Sequence, residues 1–149
     1  MKKLMTTVAC VAVAVAMTGC TRSPSTVAEK FAEAVIERET EDAVGYFDTT
    51  SFEGSEKRIK QLKELLENSG KEINDNKLEA EAIGDEITIP AEDAGYKIVN
   101  GKKYTGEKAK VTIQFIKGKD KKSDGMAVSL SKVDGSWKVS DYKLISGLD

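Results

Sequence analysis

The chain contains two cysteines and no histidine, and this composition limits the side-chain chemistry that it can perform. The sequence has 149 residues, and its cysteines are Cys10 and Cys20. Without histidine, the Ser-His-Asp and Cys-His arrangements of nucleophilic catalysis, histidine general bases and the usual zinc sites are excluded. A catalytic site would therefore depend on carboxylates, tyrosine, lysine or serine. We predict no catalytic residue, no metal site and no cofactor.

The segment that ends at Cys20 has the pattern of an export signal. Lys2 and Lys3 precede an uncharged stretch that contains a run of 10 apolar residues, VACVAVAVAM, at positions 8–17. A membrane-spanning helix needs about 20 apolar residues, so this run is too short to span a bilayer. A positive start, a short apolar run and small residues at the exit are typical of a secretory signal, which we assign to residues 1–19.

The residues at the end of this segment carry a more specific pattern. Thr18-Gly19-Cys20 resembles the lipobox of bacterial lipoproteins, in which a signal peptidase cuts before a cysteine that carries a lipid thioether. The resemblance implies cleavage between Gly19 and Cys20 and lipid attachment to the Cys20 thiol, although Met17 stands where leucine is usual. Cys10 would leave with the signal, and acylation would consume the remaining unpaired cysteine. The alternative is an ordinary secreted protein in which Cys20 is a free thiol.

The resemblance also predicts where the protein resides. Residues 20–23 would form a lipidated tether with a reach of about 14 Å, which holds a domain at 24–149 close to the bilayer. Thr21 occupies the position at which aspartate favours retention in the inner membrane of enterobacteria. We therefore expect the periplasmic side of the outer membrane in a Gram-negative host, and otherwise the outer face of the plasma membrane.

The composition without the signal is that of one mildly acidic domain. Removal of residues 1–19, which include Lys2 and Lys3, leaves 130 residues with 21 basic and 25 acidic side chains, a net charge of −4. This length suffices for one hydrophobic core, and the charge balance argues against nucleic acid as a partner. The basic run KGKDKK at 117–122 is interpreted as a hairpin loop rather than an anionic-lipid contact. The acidic stretch at 72–86 lacks the spacing of a calcium loop.

Three amphipathic helices are predicted in the first half of the domain. Ser23 caps the first, with Pro24 in its first turn, and Thr40 is predicted to cap a short second helix. Ser55 begins a third, which Gly70 is expected to end. Their apolar residues recur at helical spacing: Val27, Phe31, Ala34 and Val35; Ala43, Val44 and Phe47; Ile59, Leu62, Leu65 and Leu66.

After Gly70 the apolar residues alternate, which is the pattern of β-strands. The alternation predicts strands within 77–83, 110–116 and 126–132 and in the closing segment SWKVSDYKLI. Asp134-Gly135 is a two-residue hairpin turn, and Asn100-Gly101 is a second candidate. The region 84–106 is interpreted as an extra hairpin or a flap. Three helices before a run of antiparallel strands predict an α+β domain with the helices packed on one face of the sheet.

The ordered set of these elements resembles a known family. SPSTVAEKFAEAVIERETEDAVGYFD, with its aromatic pair Tyr46-Phe47, and the ending DGSWKVSDYKL are similar to bacterial lipoprotein domains of unknown function in the nuclear transport factor 2-like (ketosteroid-isomerase-like) superfamily. The resemblance covers roughly residues 23–145. It implies a curved sheet that wraps a long helix into a cone, often with a pocket at the open end, and a homodimer through the open sheet face.

Asp141 is the polar residue whose position depends most on strand register. An unbroken final hairpin would pair Val128 with Asp141 and place a carboxylate on the apolar face, where it would line a pocket or have a raised pKa. A β-bulge at Ser140-Asp141 would instead turn Asp141 to solvent and bring Tyr142 inward. The bulge is the preferred interpretation, and Asp141 is kept as a candidate pocket residue.

Two aromatic residues complete the candidate pocket. Trp137 is interpreted as a core residue, with a ligand platform as the alternative. Tyr46 is interpreted with Phe47 as a helix-end anchor, with pocket lining as the alternative. Asp141, Trp137 and Tyr46 are thus the candidate pocket residues.

The function that we predict is a membrane-anchored, non-catalytic accessory domain of the cell envelope. It would hold a small apolar ligand or dock an envelope protein. The alternative is a small histidine-free enzyme of the isomerase or dehydratase type that uses a pocket carboxylate, which requires a deep pocket with convergent ionisable groups. A third hypothesis is a protein that acts by contact, for which an exposed apolar patch is expected.

Overall fold

The computed structural model describes residues 22–148, in which three helices precede an antiparallel sheet. The helices are α1 (Pro24–Ile36), α2 (Thr40–Tyr46) and α3 (Glu56–Ile73), with single 3-10 turns at Thr50–Phe52 and Glu92–Ala94. The strands are β1 (Glu79–Thr88), β2 (Lys97–Val99), β3 (Lys102–Lys117), β4 (Asp120–Val133) and β5 (Ser136–Ile145). This order confirms the predicted α+β class.

β3, the longest strand, lies inside the sheet because it pairs along both of its sides, as β4 also does. The sheet order is β1-β3-β4-β5, and β2 pairs with the first residues of β3. Register shifts interrupt the β1–β3, β3–β4 and β4–β5 ladders, and such bulges bend and twist a sheet. The sheet thereby curves around α1, which contacts β1, β3, β4 and β5.

The helix starts follow the capping rules at two of three positions. The Ser23 hydroxyl accepts a hydrogen bond from the backbone N–H of Thr26 at 3.2 Å, and the Ser55 hydroxyl accepts one from Arg58 at 3.3 Å. The prediction for α2 is wrong by one residue. Thr40 is already helical, and Glu39 occupies the cap position without a side-chain capping bond.

The predicted end of α3 at Gly70 is also wrong. The helix continues to Ile73, and Asn74 adopts the left-handed conformation that closes it. Gly70 lies instead at the crossing of α3 with α1, where an added Cβ would come within 2.8 Å of the Val35 carbonyl oxygen. The glycine is therefore required for close helix packing rather than for termination.

The core lies between the concave face of the sheet and the three helices. It contains the predicted apolar faces of α1 and of strands β3 to β5, with Phe31, Val111, Ile113, Met126, Val128, Leu130 and Val139 almost completely buried. On α3 only part of the predicted stripe is internal, because Leu62 and Leu66 are buried whereas Leu65 is 53% exposed.

Both predicted two-residue hairpin turns are present. Asn100-Gly101 joins β2 to β3 and Asp134-Gly135 joins β4 to β5, and all four residues have the positive φ angles that these turns need. The region 84–106 consists of the second half of β1, a 3-10 turn and the β2–β3 hairpin. Within residues 22–148 no helix is both long and apolar enough to cross a bilayer.

Candidate functional site

The final hairpin contains the bulge that decides the position of Asp141. Leu130 pairs with Val139, but Ser129 pairs with Asp141, so Ser140 is the extra residue. Asp141 is consequently exposed and does not lie on the apolar face. The bulge interpretation is confirmed, and the placement of Asp141 in a pocket is corrected, because one inserted residue reverses which side chains face inward.

The bulge brings Tyr142 inward in place of Asp141. Its hydroxyl lies 2.7 Å from the Ser69 hydroxyl, and its ring meets Phe31 edge to face at 5.2 Å between centroids. Burial raises the pKa of Tyr142 above its ordinary value. Tyr142 therefore joins β5 to α3 as a neutral hydrogen-bonding group.

The two aromatic candidates pack into the domain. Trp137 is 8% exposed and belongs to the core, with the Lys132 ammonium 5.6 Å from its ring centroid. Tyr46 is partly buried at the end of α2 and packs against the same core. The structure does not bring Asp141, Trp137 and Tyr46 together around any cavity that we describe.

Sequence reasoning missed a polar cluster around Asp48. The hydroxyl of Tyr104 donates to Asp48 Oδ2 at 2.7 Å, and the backbone N–H of Thr50 donates to Oδ1 at 3.1 Å. Asn100 Nδ2 donates to the Thr50 carbonyl oxygen at 2.8 Å. These contacts fasten the turn after α2 to the β2–β3 hairpin. Only the Asp-Thr-Thr turn sequence at 48–50 hinted at them.

The cluster shifts the titration of both of its acidic groups. Burial opposes ionisation of Asp48, but hydrogen bonds from Thr50 and Tyr104 and the charge of Lys138 hold its pKa below the ordinary value of 3.8. Burial raises the pKa of Tyr104. Because both oxygens of Asp48 accept protein hydrogen bonds, we interpret the pair as structural rather than as a catalytic base.

We expect Asp48 to make the stability of the domain depend on pH under acidic conditions. A carboxylate whose pKa is lower in the folded state contributes stability above 3.8, and this contribution is lost as the pH falls towards the folded-state pKa. The free energy of unfolding should therefore fall more steeply between pH 5 and pH 3 in the native protein than in Asp48→Asn, as measured by urea denaturation. Asp141→Asn, at an exposed position, is the matched control and should keep the steep decline.

A cavity of about 280 Å³ lies at the end of the domain where α3 stops and β1 begins. Its apolar side chains come from four places in the chain: Ile73 at the end of α3, Leu78 before β1, Phe115 on β3, and Leu144 and Ile145 at the end of β5. These residues reach the same place because neighbouring strands bring Gln114 of β3, Gly125 of β4 and Ile145 of β5 together at one end of the sheet. Gly125 and Ser146 complete the wall.

The cavity has carboxylates and no basic side chain among its lining residues. Glu72 and Asp124 line it, and within residues 22–148 neither carboxylate has a hydrogen bond or an ion pair. The neighbouring Asp75 differs, because Lys117 lies 2.9 Å from its carboxylate. A mixed wall of apolar side chains and two free carboxylates suits a ligand that has an apolar body and a positive charge.

At the opposite end of β1, large apolar side chains face solvent. We call this surface the apolar edge, and its members are Ile83, Ile87, Ile89, Tyr96, Ile98 and Val99. Ile89 is 71% exposed and Tyr96 is 62% exposed. The part of the edge on β1 adjoins the part near β2. Pro90, which directly follows Ile89, lines the same groove of about 440 Å³ as Tyr96.

Other site types find little support in the described part of the chain. No three acidic residues within residues 22–148 converge in a way that could hold a metal ion. Gly19 and Cys20 lie outside the described residues, so lipid attachment and cleavage stay predictions.

The comparisons with known proteins identify the fold. A crystal structure of an NTF2-like protein from Campylobacter jejuni, named as a candidate transpeptidase, matches with a TM-score of 0.50 and 14% sequence identity. The match covers 80% of this chain and 99% of the other. No protein-family model matches the chain, and no curated protein matches it. The chain thus has the NTF2-like α+β cone fold, which hosts different functions.

Proposed function

We propose that this chain is an exported lipoprotein of the cell envelope, anchored through Cys20, that binds a small amphipathic cation in the cavity at the end of α3. The observation that carries the ligand is the cavity of about 280 Å³, in which apolar side chains stand beside the unpaired carboxylates of Glu72 and Asp124. Apolar walls with a few polar groups that fix orientation are typical of small-molecule sites.

Binding is better supported than catalysis by the residues around this cavity. An isomerase or dehydratase needs a carboxylate base and a donor that stabilises a developing oxyanion. The lining offers Ser146 as its only side-chain hydroxyl and contains no tyrosine, lysine or arginine. The transpeptidase name of the structural neighbour finds no support at this cavity either. The only groups in the lining that could act as a general base for Ser146 are the exposed carboxylates of Glu72 and Asp124.

Partner contacts stay predictions of this proposal. A homodimer through the open sheet face would join surfaces that include Lys110, Ser129 and Lys143, which alternate with the buried residues of β3, β4 and β5. Charged side chains are depleted at the centre of dimer interfaces, and only the small side chain of Ala127 lies between Thr112 and Lys143 on this face. We therefore propose a ligand-binding domain that acts without nucleic acid and does not depend on a second copy.

The anchor is tested by substitution of either cysteine. In cells fed a labelled fatty acid, Cys20→Ala should abolish labelling and leave the precursor uncleaved, since the acceptor thiol is gone. Cys10→Ala is the matched control, because Cys10 lies in the signal, and it should be labelled and processed normally. Normal processing of Cys20→Ala would contradict lipid attachment at Cys20.

The ligand site is tested with a defined probe. We expect 2-phenylethylamine to shift the amide NMR signals of Phe115, Gly125 and Leu144, whereas 3-phenylpropionate should not, because the carboxylates repel it. Glu72→Gln and Asp124→Asn should each weaken the amine by about 1.5–5-fold, since an exposed ion pair contributes about 0.2–1 kcal/mol. Glu64→Gln, two turns earlier on α3, should leave binding unchanged. Equal shifts with both probes would contradict the role of the carboxylates.

A further inference from the structure

The apolar edge lies next to the point at which the tether enters the domain. The Ser25 hydroxyl donates a hydrogen bond to Asp85 Oδ2 at 3.0 Å. The Glu29 carboxylate accepts one from the backbone N–H of Ala82 at 2.8 Å. The first two turns of α1 are therefore fastened to the middle of β1. The N-terminus of α1, to which the tether connects, therefore lies beside β1.

The short tether and the short distances along β1 keep Cys20 close to the apolar edge. Residues 20–23 span at most about 14 Å. Ile87 follows Asp85 by two residues along β1, which is about 7 Å, and Ile89 follows by about 13 Å. A lipid on Cys20 would thus enter a bilayer within about 14 Å of the start of α1, which lies beside the strand that carries the exposed isoleucines.

We propose that the apolar edge rests on the phospholipid bilayer that holds the lipid of Cys20. The inference depends on the lipid anchor of the proposed function. Isoleucine side chains can enter the boundary between headgroups and acyl chains, and tyrosine favours this interface because its ring is apolar and its hydroxyl polar. Ile87, Ile89 and Tyr96 offer these chemistries along one edge of the sheet, where β1 and β2 pair with successive parts of β3. Exposed apolar surface of this kind is typical of an interaction site.

Charge around the edge indicates apolar contact rather than attraction to anionic lipid. Asp85 accepts the hydrogen bond from Ser25, and Glu86 lies directly across from Lys110 in the β1–β3 ladder. The Lys103 ammonium lies 4.6 Å from the ring centroid of Tyr96. Charges of both signs thus border the edge, and the contact should be insensitive to salt.

This contact would orient the cavity. Leu78, in the cavity wall, directly precedes β1, whereas Ile87 lies near the far end of that strand. Leu78 and Ile87 are nine residues apart, about 30 Å along the strand, so the cavity would open at most about this far from the bilayer. The anchored domain would present its ligand site to the surrounding compartment instead of burying it at the membrane.

The test uses the chain from residue 20 onward, which contains the whole described fold and Cys20 as its only cysteine. Its thiol is coupled to a maleimide lipid in phosphatidylcholine vesicles, so the result does not depend on acylation in cells. Tryptophan is placed in the edge by Ile89→Trp and, as a matched exposed position on α3, by Leu65→Trp. Quenching by brominated lipid is then measured against the signal of Trp137 alone.

In vesicles without anionic lipid, we expect at least threefold stronger quenching for Ile89→Trp than for Leu65→Trp. The addition of 0.5 M salt should not change this ratio. Adding Ile87→Asp should cut this quenching at least by half. Equal quenching at both positions, or quenching that needs anionic lipid, would overturn the inference. So would a photocrosslinker at position 89 that captures an envelope protein instead of lipid in cells. Failure of acylation alone would leave the vesicle result intact.

Discussion

Gly125→Ala is expected to lower the free energy of unfolding by about 3 kcal/mol, since overpacking against fixed atoms typically costs 1–3 kcal/mol and occasionally more. Gly125 pairs with Gln114 beside a register shift, and an added Cβ would lie 1.9 Å from the carbonyl oxygen of Ile113. That oxygen belongs to the backbone of the central strand, so relief requires β3 and β4 to separate. Urea denaturation measures the change, and the melting temperature should fall by about 10 °C.

The matched control is another glycine with free space. Gly45→Ala adds a methyl group within α2, where no atom other than those of its chain neighbours and its own helix backbone lies within 4 Å of the new Cβ. This change should be neutral or stabilise the protein by up to about 1 kcal/mol, because alanine favours a helix over glycine. If Gly125→Ala were as stable as Gly45→Ala, the close approach of β3 and β4 would be contradicted.

Phe31→Ala is expected to have a comparable or larger effect. Phe31 is completely buried on α1, and its ring lies 6.1 Å from that of Phe47 and 5.2 Å from that of Tyr142, between centroids. Removal of a buried phenylalanine ring typically costs about 3–5 kcal/mol, because apolar contacts are lost and a cavity remains. The result should be a large fall in the urea midpoint, with partial unfolding at 37 °C.

Leu65→Ala is the control. It shows whether truncation of any large apolar side chain on a helix lowers the stability, or only truncation of a buried one. Leu65 lies on α3 and is 53% exposed, so its replacement should change the free energy of unfolding by less than about 1 kcal/mol. A large loss from Leu65→Ala would show that this side chain is covered in solution. A small loss from Phe31→Ala would contradict the packing of α1 against the sheet.

Local signals were sufficient for most of the fold. Ser23 and Ser55 begin helices because a hydroxyl can satisfy free N–H groups within the same turn. Asp134-Gly135 makes a hairpin because these two residues tolerate positive φ angles. The period of two in β3 and β4 located the buried faces. Each of these features depends on residues within a few positions of one another.

The candidate site depended on contacts that no local pattern contains. The Asp48–Tyr104 hydrogen bond joins residues 56 positions apart, and the cavity wall combines Ile73, Phe115 and Leu144 from three separate elements. The sequence was compatible with either a bulge at Ser140 or an unbroken final hairpin. Only the packing of Tyr142 on α1 and α3 decided between them.

The amino-acid sequence by itself determined the order of elements, the turns, the exclusion of histidine chemistry and the predicted anchor at Cys20. Tertiary structure alone decided that Gly70 and Gly125 are contact positions, that Asp141 is exposed, and that the apolar edge and the cavity lie at opposite ends of β1. The physical reason is the range of the forces involved. Capping and backbone preference act within one turn, whereas burial and register are set by surfaces that meet only when distant segments pack together.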